Sequence, residues 1–203
     1  FPVTVKTGEG VVELIWNKIE YADGYRVFAS PVGKNHFVGV INVKGTTAVM
    51  KKRANGVPMQ YKVKAFRIAD GPDNFFGESE IVIACPLETP RRLTAIVGSD
   101  GICTLSWRYN SQCDGFKIYA DSNESGKYSF VCYSGKNSCR LDSFTKSGKV
   151  SFVVRSFIMT GHMEKLGVSS APAEAVLPKS KGAKAVQFDH SMIRKTAGDY
   201  NAR

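Results

Sequence analysis

Apolar and polar side chains alternate with a period of two along much of the chain. In Val12-Glu13-Leu14-Ile15-Trp16, residues 12, 14 and 16 share one side, and Cys103, Leu105 and Trp107 repeat the arrangement. In Tyr61-Lys62-Val63-Lys64-Ala65-Phe66, the residues Tyr61, Val63 and Ala65 share one side while Lys62 and Lys64 share the other. Successive side chains of a strand point to opposite faces, so this pattern predicts half-buried antiparallel strands. Turn-rich pieces separate them: Thr7-Gly8-Glu9-Gly10, Ser30-Pro31-Val32-Gly33-Lys34-Asn35 and Val97-Gly98-Ser99-Asp100-Gly101. No long amphipathic helix is predicted, and no apolar run reaches the ~18 residues of a membrane-spanning segment.

The alternations recur at a fixed distance. Trp16 and Trp107 are the only tryptophans and stand 91 residues apart. Asp23-Gly24-Tyr25-Arg26-Val27-Phe28 matches Asp114-Gly115-Phe116-Lys117-Ile118-Tyr119 at the same offset. Tyr61-Lys62-Val63-Lys64-Ala65-Phe66 matches Phe152-Val153-Val154-Arg155-Ser156-Phe157, and Ser79 matches Ser170. Only 10 identities occur over residues 2–80 at this offset, so the repeat rests on where the matches fall. Small cancelling insertions are expected around residues 37–45 and 128–136. Two tandem β-sandwiches of roughly ninety residues satisfy both the strands and the repeat.

The ordered set of residues resembles fibronectin type III domains over about residues 1–178. It comprises a Pro-led first strand, Trp16 ending the second and Gly24-Tyr25-Arg26-Val27 opening the third. The Tyr61-Lys62-Val63-Lys64-Ala65 strand and a final Gly77-Glu78-Ser79 strand follow. In detail the first repeat is similar to modules of bacterial secreted and cell-surface proteins. The resemblance implies an all-β fold of two seven-stranded, immunoglobulin-like sandwiches, over residues 1–87 and 88–178, with an extended basic arm at 179–203. It also implies that the Tyr61 hydroxyl bonds back to the preceding corner, a bond that Phe152 lacks. Neither a Trp-Ser-x-Trp-Ser signature nor an Arg-Gly-Asp tripeptide occurs.

Charge adds a distribution to this picture. Of 203 residues, 28 are basic and 18 acidic, for a net +10. Residues 1–88 carry 11 basic and 9 acidic side chains, residues 89–178 carry 11 and 7, and residues 179–203 carry 6 and 2. The density is therefore highest in the arm, which reads as a disordered linker or as a segment that orders on a neighbouring subunit or domain. Its small apolar clusters, including Phe188 and Ile193, are the candidate contacts. Ala84-Cys85-Pro86-Leu87-Glu88-Thr89-Pro90 is a short linker with two prolines and implies a semi-rigid pair. The chain opens Phe1-Pro2-Val3 without Met and is read as a processed product or an excerpt.

Five cysteines occur, Cys85, Cys103, Cys113, Cys132 and Cys139, without a Cys-x-x-Cys pair. An odd count is not a closed disulfide framework, and zinc-site spacing is missing. Cys132 and Cys139 flank the turn-like Ser134-Gly135-Lys136-Asn137 and are candidates for a disulfide across a hairpin. The alternative is buried free thiols acting as small hydrophobes.

No catalytic constellation emerges. His36 and His162 fall in loops and His190 in the arm; no nucleophile elbow, phosphate loop or His-Glu-x-x-His occurs. Glu78 and Glu80 lie at strand spacing and read as solvated surface. No cofactor or metal is expected, and the chain is read as non-catalytic. Binding is the live class, with a protein or glycan partner. In the loop 67–77, Phe75 and Phe76 are candidate contacts, with one of them expected to fill the core edge. The corresponding loop Met159–Lys165 carries two methionines that could serve adaptable contacts. Arg26, Lys62 and Lys64 would form a cationic stripe able to attract a polyanion, with aromatic partners scarce apart from Phe28. Its alternative is a solvated face kept soluble by charge. Asn123-Glu124-Ser125 is a glycosylation sequon, meaningful only in a eukaryotic secretory pathway. The resulting expectation is a spacer and adhesion-type binding module of a secreted or cell-surface multidomain protein. Alternatives are a subunit of a surface filament or virion docking through the arm, and an accessory module of a glycan-degrading enzyme.

Overall fold

Val12, Leu14 and Trp16 are buried while the residues between them are only partly covered, so the alternation in sequence becomes an inside and an outside. A computed structural model describes residues 1–69, 74–142 and 147–178. They fall into two units, the first Phe1–Pro86 and the second beginning at Leu87. Each unit is a β-sandwich, and every regular element among the described residues is a strand.

The first unit contains β1 Val3–Gly8, β2 Val11–Trp16, β3 Gly24–Pro31, β4 Val38–Val43, β5 Thr47–Met50, β6 Met59–Phe66, β7 Phe75–Glu78 and β8 Val82–Ala84. The smaller sheet has the order β1-β2-β5 and the larger the order β4-β3-β6-β7, with β8 also paired to β6. All pairings are antiparallel. Both sheets feed one core: Val12, Leu14, Trp16, Ala48 and Met50 from the smaller, Tyr25, Val27, Tyr61, Val63 and Ala65 from the larger. Burying a Val or Leu side chain stabilises by about 1.5–3 kcal/mol, so the alternation is itself the folding signal.

The second unit repeats this with β9 Arg91–Val97, β10 Cys103–Arg108, β11 Gly115–Asp121, β12 Ser129–Ser134, β13 Ser138–Leu141, β14 Gly148–Thr160, β15 Met163–Leu166 and β16 Ala173–Leu177. Its sheets run β13-β10-β9 and β12-β11-β14-β15, with β16 on β14. Its core joins Cys103, Leu105 and Trp107 to Phe116, Ile118, Phe152 and Val154. The two immunoglobulin-like sandwiches implied by the resemblance are thus present. The expected seven strands appear as eight segments because the last strand of each unit is interrupted. In the first unit β7 pairs with residues 64–66 of β6 and β8 with residues 59–61, along the same edge.

The expected insertions are not there. Strands β4 and β12 start and end 91 residues apart, as do β5 and β13. Even the bulges coincide, between Val27 and Phe28 in one unit and Ile118 and Tyr119 in the other. Identity is low between these segments at inward positions too, where Ile41, Ala48 and Met50 stand against Cys132, Cys139 and Leu141, yet the chain does not shift register. A second correction concerns Met159–Lys165, which is not a loop. Strand β14 runs to Thr160 and β15 starts at Met163, with Thr160 opposite Met163. Only Gly161 and His162 turn the chain, and Gly161 has a positive φ of 63°, the conformation a glycine adopts at little steric cost.

The repeated Asp-Gly step has a packing reason. A Cβ on Gly24 would stand 2.6 Å from the Phe66 ring, and one on Gly115 would stand 2.9 Å from both the Phe157 ring and the Ser134 carbonyl oxygen. Only glycine lets the aromatic side chain of the neighbouring strand lie across it. The preceding aspartate ties down the next residues: Asp23 Oδ2 accepts from the Ile68 amide at 2.9 Å, and Asp114 Oδ2 from the Met159 amide at 2.6 Å.

Candidate functional site

The outward residues of the larger sheet in each unit form a layer of rings and cations. In the first unit, Tyr25, Val27 and Ala29 of β3 are buried inward, leaving Arg26 and Phe28 outward. Arg26 lies opposite Lys64, and Phe28 opposite Lys62. The three basic residues of the expected stripe are therefore on one face. The Arg26 guanidinium sits 5.3 Å from the Phe75 ring centroid, and Lys64 Nζ lies 5.6 Å from the rings of both Phe28 and Phe75. Lys62 Nζ is 4.6 Å from Phe37, and the Arg67 guanidinium 4.9 Å from Phe76 and 5.2 Å from Tyr21. Aromatic partners are thus abundant, against the sequence expectation. The rings also meet one another edge to face, Phe28 with Phe75 at 5.5 Å and Phe66 with Phe75 at 6.5 Å.

Phe75 does not fill the core edge. It packs on the outer surface of the sheet, while Gly77, two residues on, lies close to Ala65 and Ile19. A register shift between Ala65 and Phe66 separates the two, and this bulge sends Phe75 outward. Phe76 is 44% exposed. Gly39, opposite Phe28, leaves space for the layer, because a Cβ there would approach Arg26 Cδ to 3.2 Å.

The cations are partly neutralised. Glu78 bridges both lysines, at 2.7 Å to Lys64 and 2.9 Å to Lys62. Hydrogen bonds first from Lys64 and then from Lys62 hold its carboxyl below the usual range. Glu78 is therefore a clamp for two cations, not bare solvated surface. Arg26 Nε donates to Asn42 Oδ1 at 2.8 Å. Each exposed cation–ring contact is worth about 0.5–1 kcal/mol, so the layer holds its side chains in place without locking them.

The second unit has an equivalent layer that the sequence reading did not single out. Lys117, in the place of Arg26, lies 5.0 Å from the Tyr133 ring and 5.5 Å from Phe130. It pairs with Glu164 at 2.6 Å. Burial pulls the Lys117 ammonium down, but hydrogen bonds and charge interactions with Glu164 and Tyr133 together outweigh it, and its pKa lies above the usual value. Tyr119, Phe130, Tyr133 and Phe157 form an unbroken edge-to-face series with centroid separations of 5.9, 4.9 and 5.6 Å. Phe130 is 48% exposed. The signal was present: Tyr119 follows Lys117 by two, as Phe28 follows Arg26, so both rings share the cation's face.

Cys132 and Cys139 do come together, with Sγ atoms 3.3 Å apart as free thiols. The expected hairpin is wrong, however. β12 pairs with β11 and β13 with β10, so the turn between them carries the chain from one sheet to the other. Tyr61 is buried, with the Arg53 side chain hydrogen-bonded to its hydroxyl. Burial raises its pKa, and Arg53 offsets part of the rise. Phe152 fills the same place in the second core without that bond. No group of three or more His, Cys, Asp or Glu among the described residues could hold a metal ion. The candidate contacts Phe188 and Ile193, and the arm 179–203 with them, lie outside the described residues.

No protein-family model matches the chain, and no curated protein matches it. The solved structures to which it is similar include two fibronectin type III fragments. One is the FN1-FN3 domains of chicken CNTN1, with 18% identity and a TM-score of 0.40, covering 88% of this chain and 66% of that one. The other is a two-domain fibronectin type III segment of chicken tenascin, with 16% identity and a TM-score of 0.47, covering 87% of this chain and 97% of that one. The chain thus spans just under two thirds of the length of the first.

Proposed function

We propose that the chain is a non-catalytic binding module of a secreted or surface-exposed multidomain protein, and that its outer sheet faces hold an acidic glycan. One observation carries this reading. Both units carry a cation and a ring at repeat-equivalent outward positions, Arg26 and Phe28 in one and Lys117 and Tyr119 in the other, and in each the cation lies over rings brought from other strands, Arg26 over Phe75 and Lys117 over Phe130 and Tyr133. Aromatic faces offer apolar platforms to the C–H edges of sugar rings, and the cations answer carboxylate or sulfate groups. In the first unit a single carboxylate, that of Glu78, is shared between the ammonium groups of Lys62 and Lys64.

The test is binding of the full chain to uronic-acid and sulfated polysaccharides, with neutral polysaccharides as controls, at two salt concentrations. Affinity for the acidic set is expected to fall steeply with salt. Phe75→Ala and Phe130→Ala should each weaken it. Absence of binding at low salt, or equal binding to the neutral set, would sink the glycan reading. Capture of a protein ligand that the same substitutions abolish would move the faces to protein recognition instead.

A further inference from the structure

The two thiols of the second unit meet across the space between its sheets. Cys132 lies opposite Ile118 in the β11–β12 pairing and Cys139 opposite Leu105 in the β10–β13 pairing. Directly opposed residues present their side chains to the same face. Ile118 and Leu105 are core residues, and both cysteines pack against that core. The approach is held by the connection between them. Ser134 Oγ donates to the Ser138 carbonyl at 2.6 Å, the Trp107 amide to the Asn137 carbonyl at 3.1 Å, and Asn137 Nδ2 to the Tyr109 carbonyl at 3.0 Å.

The first unit provides an internal comparison. Ninety-one residues earlier stand Ile41 and Ala48, opposite Val27 and Leu14 in the same registers. Both belong to or pack against the first core. The fold therefore needs only two apolar groups here, and packing alone gives no reason for sulfur at both places.

We propose that Cys132 and Cys139 are a redox site, at which a small disulfide oxidant converts the thiols into a disulfide stapling the two sheets of the second unit. Closing 3.3 Å to a bond of about 2.05 Å needs movement of little more than an ångström. The Cys139 thiolate attacks the oxidant R–S–S–R, forming a Cys139–S–S–R bond and releasing one thiolate. Deprotonated Cys132 then attacks the Cys139 sulfur and expels the second. Two electrons pass to the oxidant, and the two cysteine protons end on two molecules of R–SH. Cys139 leads because a hydrogen bond from Cys132 lowers its pKa while that of Cys132 is raised. Cys103 and Cys113 do not compete: burial, with smaller contributions from neighbouring groups, raises both thiols and leaves them protonated and slow.

The full chain would be equilibrated with oxidised glutathione, alkylated, digested without reductant and mapped by mass spectrometry. The expected product links Cys132 to Cys139 and leaves Cys85, Cys103 and Cys113 alkylated. The thermal transition of the second unit should rise by about a few degrees on oxidation, and that of the first should not move. Cys132→Ser should stop at a glutathione adduct on Cys139. Alkylation of all five cysteines after equilibration would overturn the proposal, as would a link through Cys103. The wild-type map requires no variant to fold.

Discussion

The hydroxyl of Ser79 accepts the amide proton of Val63 at 2.9 Å, where the carbonyl of a continuous partner strand would otherwise stand. The Ser79 amide returns a bond to the Val63 carbonyl at 2.8 Å, and its hydroxyl donates to the Glu80 carbonyl at 2.8 Å. One side chain thus satisfies the buried strand at the point where β7 gives way to β8. Ser170 does the same for Val154, at 3.0 Å from its amide and 2.9 Å to its carbonyl.

Ser79→Ala removes the acceptor and leaves the amide of a fully buried valine without its partner. The expected loss is about 1–3 kcal/mol of the first unit's stability. Ser170→Ala should act equally on the second unit. Denaturant unfolding followed separately for each unit checks both, and a loss below the error of the extrapolation would contradict the account.

The glycines of the Asp-Gly steps should differ in tolerance. At Gly24 the added methyl meets only the tip of the Phe66 ring, which can swing, whereas at Gly115 it also meets a backbone carbonyl. Overpacking of this kind costs about 1–3 kcal/mol, and Gly115→Ala should lie nearer the upper end than Gly24→Ala. The comparison is made by thermal melts of the two variants.

Tyr61→Phe removes the hydroxyl that meets Arg53 but keeps the ring in the core. A loss of about 1 kcal/mol is expected, since the first core would then resemble the second, where Phe152 already stands. Phe152→Ala, which empties the core instead, should cost about 3–5 kcal/mol.

Acid should weaken the second unit through Asp121. Its carboxylate accepts from the Asn123 amide at 2.9 Å, the Gly126 amide at 2.6 Å and the Ser125 hydroxyl at 3.2 Å. The Asn123 amide is the leading reason that its pKa is lowered. A folded pKa below the unfolded value of about 3.9 means the contribution is complete above that pH and is lost as pH falls through the folded pKa. Unfolding measured from pH 6 downward should show this slope, and Asp121→Asn should flatten it.

Glu78→Gln tests the binding face in the opposite sense to a deletion. It releases Lys62 and Lys64 from their shared carboxylate, so affinity for an acidic polysaccharide at low salt should increase. Stability should change by only about 0–1 kcal/mol, because the bridge is solvent-accessible. Titration of the variant against the wild type at two ionic strengths reads both effects.

Much of the architecture was legible from alternation and repetition. Which residues face inward in Val11–Trp16 and Met59–Phe66 follows from their period of two, and the 91-residue offset marks the second copy. The offset holds even through β4 and β5, where Val40 and Val131 are the one identical pair, because small apolar groups of different kinds fill the same inward positions in both units. The binding face was half legible. Arg26, Lys62 and Lys64 share a face by parity, but their ring partners Phe37 and Phe75 come from other segments, and a bulge reverses the expected direction of Phe75.

Sequence alone therefore determined strand and face, which depend on neighbours one or two residues away, and the repeat, which shows when the chain is laid against itself at 91 residues. Tertiary structure decided which strands join which sheet, and with it every relation between distant faces. Cys132 and Cys139 show the difference. Seven residues apart, they read as two sides of a hairpin, yet β12 and β13 pair with different strands. The thiols consequently meet through the core, where only the packing of one sheet on the other could bring them.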